Sequence, residues 1–190
     1  MSRLSPSPMA DPADRLRINL IQGDAQVDDR PNVVFTTLLG SCIAACIRDP
    51  GAGVGGMNHF LLPGDGAGSS STSTQSYGLY LMELLVNGLL KKGARKHALE
   101  AKLFGGARTM NGLSDIGGKN AEFAKRFLDM EGISYVGGSL GGTQGRRIEF
   151  WPVSGRARQI LMEPTDKAMP KIMIPAPVTA PQAGGDLELF

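Results

Sequence analysis

Short apolar runs that end at glycine, proline or aspartate constrain the fold of this chain most strongly. Most of them alternate apolar and polar side chains with a period of two, which predicts half-buried strands. The predicted strands are residues 17–22, 33–37, 41–48, 54–62, 99–104, 134–137, 147–151 and 156–162. Residues 77–93 and 119–131 instead repeat apolar side chains at intervals of three and four, and each segment ends at a glycine, which predicts two helices. Many short strands with two helices indicate an α+β fold built in layers.

Length and composition fit one domain with terminal extensions. The chain has 190 residues, a formal net charge of +2 and 42% hydrophobic residues, which is ordinary for a globular protein. Residues 17–165 are the predicted domain. Residues 1–16, rich in Ser, Pro and Asp, predict a disordered N-terminal arm, and residues 166–190 predict a Pro-rich flexible tail. The Gly, Ser and Thr of residues 63–76 predict a mobile surface loop.

Several functional classes are disfavoured by the composition. Two cysteines are too few for a disulfide framework and are typical of reduced thiols in a cytoplasmic protein. The first residues lack the apolar core of a signal peptide, and no apolar run approaches the ~18 residues of a membrane span, so no membrane insertion is expected. The densest basic run, residues 91–97, fits a helix end and forms no extended stripe, so no nucleic-acid partner is expected.

One stretch concentrates the reactive side chains. Residues 36–60, TTLLGSCIAACIRDPGAGVGGMNHF, contain both cysteines and one of the two histidines. In a strand over residues 41–48, Cys42 and Cys46 share one face because side chains alternate.

A turn at residues 50–51 determines which residue faces which. Proline followed by glycine suits the centre of a type II turn, and the resulting hairpin predicts that His59 lies directly across from Cys42. The same register predicts that Cys46 lies across from Gly55. Opposed side chains on one face lie close enough for a thiol–imidazole contact, whereas a slip of one residue would put the pair on opposite faces.

Such a pair suits nucleophilic catalysis. An imidazole draws a cysteine toward the attacking thiolate and later protonates the leaving group. A third group usually orients the imidazole. Asn58 is adjacent to His59 and therefore points to the other face, whereas Thr36 lies an even six residues before Cys42. Backbone N–H groups at Ser41 or Cys42 are candidate donors to an oxyanion.

Other interpretations of these residues are simpler. Buried cysteine usually acts as a small apolar side chain, and Cys46 between Ala and Ile fits that role. A zinc site from Cys42, Cys46 and His59 lacks a second ligand pair, since His97 lies in a basic link that predicts an exposed side chain. The glycine patterns at residues 51–56 and 117–120 lack the helix or the hydroxyl that nucleotide binding needs. No metal or cofactor is therefore expected.

Several separate blocks resemble the chemoreceptor glutamine deamidase family CheD. They occur in order over residues 18–162. The matching segments are residues 36–42, 49–50, 56–63, 77–93, 100–107, 116–120 and 140–146.

The resemblance implies a fold, an activity and partners. The fold is a layered α/β/β sandwich similar to that of the cytotoxic necrotizing factor deamidases. The activity converts glutamine side chains on chemoreceptor helices to glutamate, with release of ammonia and without a cofactor. The family's catalytic residues fall on Cys42, His59 and Thr36, and Thr37 offers a second threonine one place on. Some members also pair with a CheC-type phosphatase.

Two rivals stay open at this point. One is a non-catalytic regulatory module that docks a phosphatase or a receptor, and the other is a cysteine peptidase or transglutaminase with the same dyad. The C-terminal Leu-Glu-Leu-Phe is a candidate docking peptide.

Overall fold

A computed structural model describes residues 15–62, 71–108 and 115–163. The predicted tail over residues 166–190, most of the predicted arm and residues 63–70 of the predicted loop lie outside the described residues. The limits of the domain therefore stay predictions.

The described residues form nine β-strands and two α-helices. The strands are β1 (Leu16–Asn19), β2 (Ala25–Asp28), β3 (Val33–Leu39), β4 (Ile43–Asp49), β5 (Val54–Asn58), β6 (Glu100–Gly105), β7 (Ser134–Leu140), β8 (Arg146–Phe150) and β9 (Ala157–Leu161). The helices are α1 (Ser71–Lys91) and α2 (Ile116–Met130), and a short 3-10 turn covers Lys96–Ala98. Neither described helix combines the length and the hydropathy that a membrane span needs.

Three layers stack to form the domain. One sheet has the order β1-β3-β8-β9, and the second has the order β2-β5-β4-β6-β7. The two sheets enclose one apolar core, and the second sheet encloses another with the helices. Strand β4 serves both cores, because Ile43, Ala45 and Ile47 face the helices while Ala44 and Cys46 face the other sheet. The predicted layered α+β sandwich is confirmed.

The predicted elements are found with shifted ends, apart from two differences. Strand β2 was not predicted, because Ala25–Asp28 is a four-residue edge strand with a single large apolar side chain. Helix α1 begins at Ser71, inside the segment predicted to be a loop. Once the apolar repeat beyond residue 77 has formed the helix, each added residue gains a backbone hydrogen bond at little cost.

The register of the β4–β5 hairpin differs from the prediction by two residues. Cys46 pairs with Met57 rather than with Gly55, and Ile43 forms a bridge with Phe60, so Cys42 does not lie directly opposite His59. The connection takes four residues, 50–53, instead of the two of a type II turn.

The longer turn has an identifiable cause. The Asp49 carboxylate accepts hydrogen bonds from the backbone N–H groups of Gly51 (2.7 Å) and Ala52 (3.1 Å). Gly53, at φ +66°, closes the turn with an N–H bond of 3.0 Å to the Asp49 carbonyl. An even shift preserves the faces of both strands, so the predicted shared face of Cys42 and His59 survives.

Candidate active site

Cys42 and His59 lie at one end of the sandwich, between the two sheets. Cys42 immediately precedes β4 and is partly buried against the inter-sheet core. His59 immediately follows β5 and is only 6% exposed. The two residues share no hydrogen bond in this structure, since the Cys42 thiol donates to Gln22 and Nε2 of His59 has no partner among the described residues. Catalytic hydrogen bonds are often long or absent before substrate binds.

One hydroxyl fixes the tautomer of His59. Oγ1 of Thr37 lies 2.8 Å from Nδ1 of His59 and 2.8 Å from the carbonyl oxygen of Leu20. A hydroxyl has a single hydrogen, and the carbonyl accepts it, so Oγ1 accepts from an Nδ1–H group. The unpartnered Nε2 therefore carries a lone pair, and an imidazole nitrogen in this form can accept a proton.

The threonine that contacts His59 is Thr37, whereas the sequence favoured Thr36. Strand alternation explains the difference, because Thr37 shares the inward face of β3 with Phe35 and Leu39. The Thr36 side chain points to the opposite face of β3, and its strand partner is Glu149. Thr36 reaches the site only through its backbone carbonyl, which accepts the Leu20 N–H at 2.8 Å.

Loop 20–24 connects β1 to β2 and covers the site. It is held to His59 by two backbone hydrogen bonds, from Gly23 N–H to the His59 carbonyl (2.8 Å) and from His59 N–H to the Asp24 carbonyl (3.0 Å). The exposed side chain of Gln22 extends from this loop to Cys42, with Oε1 at 3.8 Å from Sγ. The loop thus contacts both His59 and Cys42.

The backbone of residues 105–107, called the backbone wall below, fixes the segment that leads into Cys42. Gly106 N–H donates to the Cys42 carbonyl, and Ala107 N–H donates to the Gly40 carbonyl, both at 2.8 Å. Gly105 has φ +112°, and a Cβ there would overlap the Cys42 carbonyl oxygen. Glycine is therefore required at Gly105 both by conformation and by space.

Asn120 holds the two sides of the site together. Its side chain is fully buried; Nδ2 donates to the Ser41 carbonyl and Oδ1 accepts from Leu62 N–H, both at 2.9 Å. One amide on helix α2 therefore connects the residue before Cys42 with the segment after His59.

Arg146 supports the wall from behind. Its guanidinium is buried and donates to the carbonyls of Ser139 (2.7 Å), Gly141 and Gln144 (3.5 Å). The same Gly141 donates its N–H to the Gly105 carbonyl at 2.9 Å. Burial lowers the pKa of Arg146 from its usual value, although the group stays charged. Arg146 thus fixes the loop before β8 against the backbone wall, which in turn bonds the Cys42 carbonyl.

The acid–base properties of the pair follow from burial. Desolvation raises the pKa of the Cys42 thiol, and its own backbone N–H opposes that shift. Desolvation also lowers the pKa of His59. The Leu20 carbonyl and the Asp24 carboxylate favour the protonated ring and oppose this shift, but desolvation is the larger effect. Both shifts favour the uncharged forms, so the resting pair is a neutral thiol and a neutral imidazole.

The other sequence candidates have structural positions. Cys46 is buried in the inter-sheet core, where desolvation raises the pKa of its thiol far above the usual value. His97 is exposed, as expected. Among residues 15–62, 71–108 and 115–163, no three His, Cys, Asp or Glu side chains form a group that could hold a metal ion.

Asn58 points away from His59, as strand alternation predicted. Its Oδ1 accepts from Ala45 N–H at 3.0 Å, and its Nδ2 donates to the Leu81 carbonyl at 3.2 Å. The side chain therefore bonds β4 to helix α1 and takes no part in orienting the imidazole.

A shallow cleft of about 290 Å³ lies beside the backbone wall. Its lining is rich in glycine and consists of Gly106, Arg108, Asp115, Gly118, Gly141, Gly142 and Thr143. Across it Arg108 and Asp115 form an ion pair of 3.0 Å. A surface with so few side chains lets another backbone approach closely.

Comparison with known proteins identifies the family. The model of the family CheD, described as "CheD chemotactic sensory transduction", matches residues 61–159. A Caulobacter sp. strain K31 protein named "Probable chemoreceptor glutamine deamidase CheD" is 54% identical over 181 residues, covering 95% of this chain and 96% of the relative. The chain belongs to the CheD family.

A second relative supports this assignment to CheD. An Acidiphilium cryptum protein of the same name is 53% identical over 194 residues, covering 98% of this chain and 100% of the relative. A crystal structure of a Neisseria meningitidis DUF152 protein aligns with a TM-score of 0.39 and 14% identity, over 63% of this chain and 52% of that one.

The sequence pattern does not reveal the places of three residues around this site. Thr37 was considered only as a substitute for Thr36, and Asn120 only as part of a block. Gln22 gave no signal, because an exposed polar residue before a glycine is typical of any turn. Each acts through a contact with a residue distant in the chain, which single-sequence patterns do not reveal.

Proposed function

We propose that this chain is a protein-glutamine deamidase that acts on chemoreceptors, as the names of its CheD relatives state for them. One observation supports the chemistry best: the buried His59 bonds Thr37 through Nδ1 and leaves Nε2 free, on the face that carries Cys42. A neutral imidazole with a free nitrogen on the same face as a partly exposed thiol is suited to general-base activation of that thiol.

The proposed reaction has two halves. The thiol proton of Cys42 passes to Nε2 of His59 while Sγ bonds the carbon of the substrate amide and the carbonyl electrons move to oxygen. The tetrahedral intermediate expels ammonia, which takes the proton from His59, and a thioester remains. Water then gives a proton to His59 and attacks the thioester carbon, which forms a second tetrahedral intermediate. This intermediate collapses to glutamate and the Cys42 thiolate, and the thiolate takes the proton back from His59. Thr37 keeps the imidazole in the productive tautomer.

The substrate is proposed to be a receptor helix that presents a glutamine over the glycine-lined cleft beside Gly106. Little side-chain bulk there lets a helix approach Cys42. The proposed location is the cytoplasm. Docking of a CheC-type phosphatase stays a prediction. Its test is to titrate the purified phosphatase into the purified deamidase and to measure whether the deamidation rate changes.

The test is deamidation of a purified chemoreceptor cytoplasmic fragment from the organism that encodes the chain. Ammonia release and replacement of amide by carboxylate, read by peptide mass spectrometry, are expected with wild-type protein and with Cys46→Ala. Both are expected to disappear in Cys42→Ala and His59→Ala variants that keep the wild-type fold. Full activity of Cys42→Ala would contradict the mechanism, and peptide-bond cleavage or amine incorporation would indicate a peptidase or transglutaminase.

Receptor binding by all variants without turnover in any of them would favour the regulatory module. The two functions differ in their need for a thiol, since docking on the same surface does not require one.

A further inference from the structure

The side chain of Gln22 contacts the sulfur of the nucleophile, and nothing in the proposed reaction has yet used it. We propose that Gln22 is a further catalytic residue whose amide donates a hydrogen bond to the oxyanion formed when Cys42 attacks. This inference rests on the proposed deamidase function. It concerns a loop residue distant in sequence from the Cys42–His59 hairpin.

The turn that carries Gln22 is held rigidly. Asp24 N–H donates to the Ile21 carbonyl at 3.1 Å, and the Asp24 carboxylate accepts from Ile21 N–H at 2.9 Å. Gly23 supplies the positive φ of +98° and bonds the carbonyl of His59. Although the Gln22 side chain is exposed, its Cα is tied to the catalytic base by short bonds. The backbone of this turn therefore keeps the Gln22 side chain within reach of Cys42, and only the terminal amide has to turn during the reaction.

The distance from Gln22 to the sulfur suits this role. Oε1 lies 3.8 Å from Sγ of Cys42. The oxyanion is two bonds from that sulfur, and an effective donor lies roughly 3 Å from the oxyanion. The side-chain amide of Gln22 can therefore reach the oxyanion without movement of the backbone.

The amide changes its role during the reaction. In the resting state it accepts the thiol hydrogen through Oε1. Once the thiol proton has passed to His59 and the negative charge is on the substrate oxygen, rotation about the Cγ–Cδ bond presents the NH₂ group instead. A glutamine amide has both an acceptor and two donors, whereas a carboxylate has only acceptors at neutral pH.

A second donor is close by. The backbone N–H of Cys42 lies near its own sulfur, where it favours the thiolate. Among the described residues, no carbonyl accepts a bond from this N–H. A side-chain amide and the nucleophile's own N–H would then hold the oxyanion from two sides.

The experiment compares Gln22→Glu and Gln22→Ala with wild-type protein on the receptor fragment. Removal of one oxyanion donor is expected to lower kcat by about 100- to 1,000-fold with little change in KM. Gln26→Glu is the matched control: this residue lies on the exposed edge strand β2, and wild-type kcat is expected. The rate of Cys42 alkylation by iodoacetamide is expected to change far less than kcat, because alkylation forms no oxyanion.

Three outcomes would overturn the proposal. The first is wild-type kcat in Gln22→Ala, and the second is an equal loss of alkylation rate and kcat in the Gln22 variants. The third is Cys42-dependent conversion of Gln22 to Glu in the purified protein, which would make Gln22 an internal substrate. Failure of the deamidase function itself is distinguishable, because then neither wild-type protein nor any variant releases ammonia.

Discussion

The hydroxyl of Thr37 lies 2.8 Å from Nδ1 of His59 while it donates to the Leu20 carbonyl. Both contacts are buried, and together they determine which nitrogen of the ring is free. The neighbouring Thr36 points out of the opposite face of the same strand. The two threonines therefore form a natural pair for mutagenesis.

Thr37→Val is expected to lower kcat/KM by roughly 10- to 100-fold. An unsatisfied buried donor costs about 1–3 kcal/mol, and each 1.36 kcal/mol is tenfold in rate. Loss of the acceptor for Nδ1–H also disfavours the protonated ring, so the acid limb of the pH profile should move to lower pH.

Thr37→Ser should restore most of the activity, since it keeps the hydroxyl. Thr36→Val is the control and should stay close to wild type in kcat/KM. A larger loss in Thr36→Val than in Thr37→Val would contradict the assignment.

The pH dependence of the pair is expected to reflect two neutral groups. Because burial lowers the pKa of His59, kcat/KM should stay level down to about pH 6.5 and fall only below it. Because burial raises the pKa of Cys42, iodoacetamide labelling should increase steeply only above the usual thiol range. A labelling midpoint near pH 6–7 for Cys42 would indicate a thiolate–imidazolium pair instead.

Protonation of His59 should also affect stability, with a defined sign. The folded state binds the proton less tightly than the unfolded chain, so the free energy of unfolding decreases as pH falls through about 6.5. His59→Gln should reduce this slope in urea unfolding measured between pH 5 and pH 8, because glutamine does not titrate.

Gly105→Ala is expected to abolish most of the activity. A Cβ at this position overlaps the Cys42 carbonyl, so the nucleophile must move, and a misplacement of about 1 Å can cost a hundredfold in rate. Gly132→Ala is the matched control: Gly132 also has a positive φ (+66°), but no atom lies within 4 Å of its Cβ position. It should lose about 1–2 kcal/mol of stability and keep kcat, as measured by urea unfolding and ammonia release.

Asn120→Asp tests the buried amide that joins the two sides of the site. The carboxylate keeps an acceptor for Leu62 N–H but cannot donate to the Ser41 carbonyl. A loss of at least about 1–3 kcal/mol is expected, which lowers Tm by roughly 2–4 °C per kcal/mol.

The exposed Asn87 on α1 provides the same substitution without burial. Asn87→Asp should change stability by less than about 0.5 kcal/mol. Equal Tm values for the two variants in calorimetry would contradict the role of Asn120 in joining the two sides of the site.

The hairpin register should depend on Asp49. The Arg95 guanidinium beside this buried carboxylate holds its pKa well below the usual range. Its contribution to stability is therefore present above the unfolded value of about 3.9 and is lost as pH falls toward the folded value. Asp49→Asn should lower the free energy of unfolding at neutral pH and flatten its decrease on acidification, in urea unfolding monitored by circular dichroism. Asp29→Asn should have a far smaller effect, because both partners of the Asp29–Lys92 ion pair are exposed.

Much of the fold could be predicted from local pattern. Alternation in residues 41–48 and the three-and-four repeat in residues 77–93 report which face of each element is buried, and burial is what creates those patterns. The shared face of Cys42 and His59 followed from the same alternation. Strand β2 was missed because four residues with one large apolar side chain carry too little pattern.

Only tertiary structure decided the contacts within the site. The register of the hairpin depends on the Asp49 side chain, and the choice of Thr37 over Thr36 depends on which face of β3 meets the second sheet. The places of Gln22 and Asn120 depend on loops and helices that are distant in sequence. The sequence alone therefore determined the layers and the reactive pair, because periodicity is local. Packing between elements decided the partners of that pair, because a side chain's partners are set by which surfaces meet.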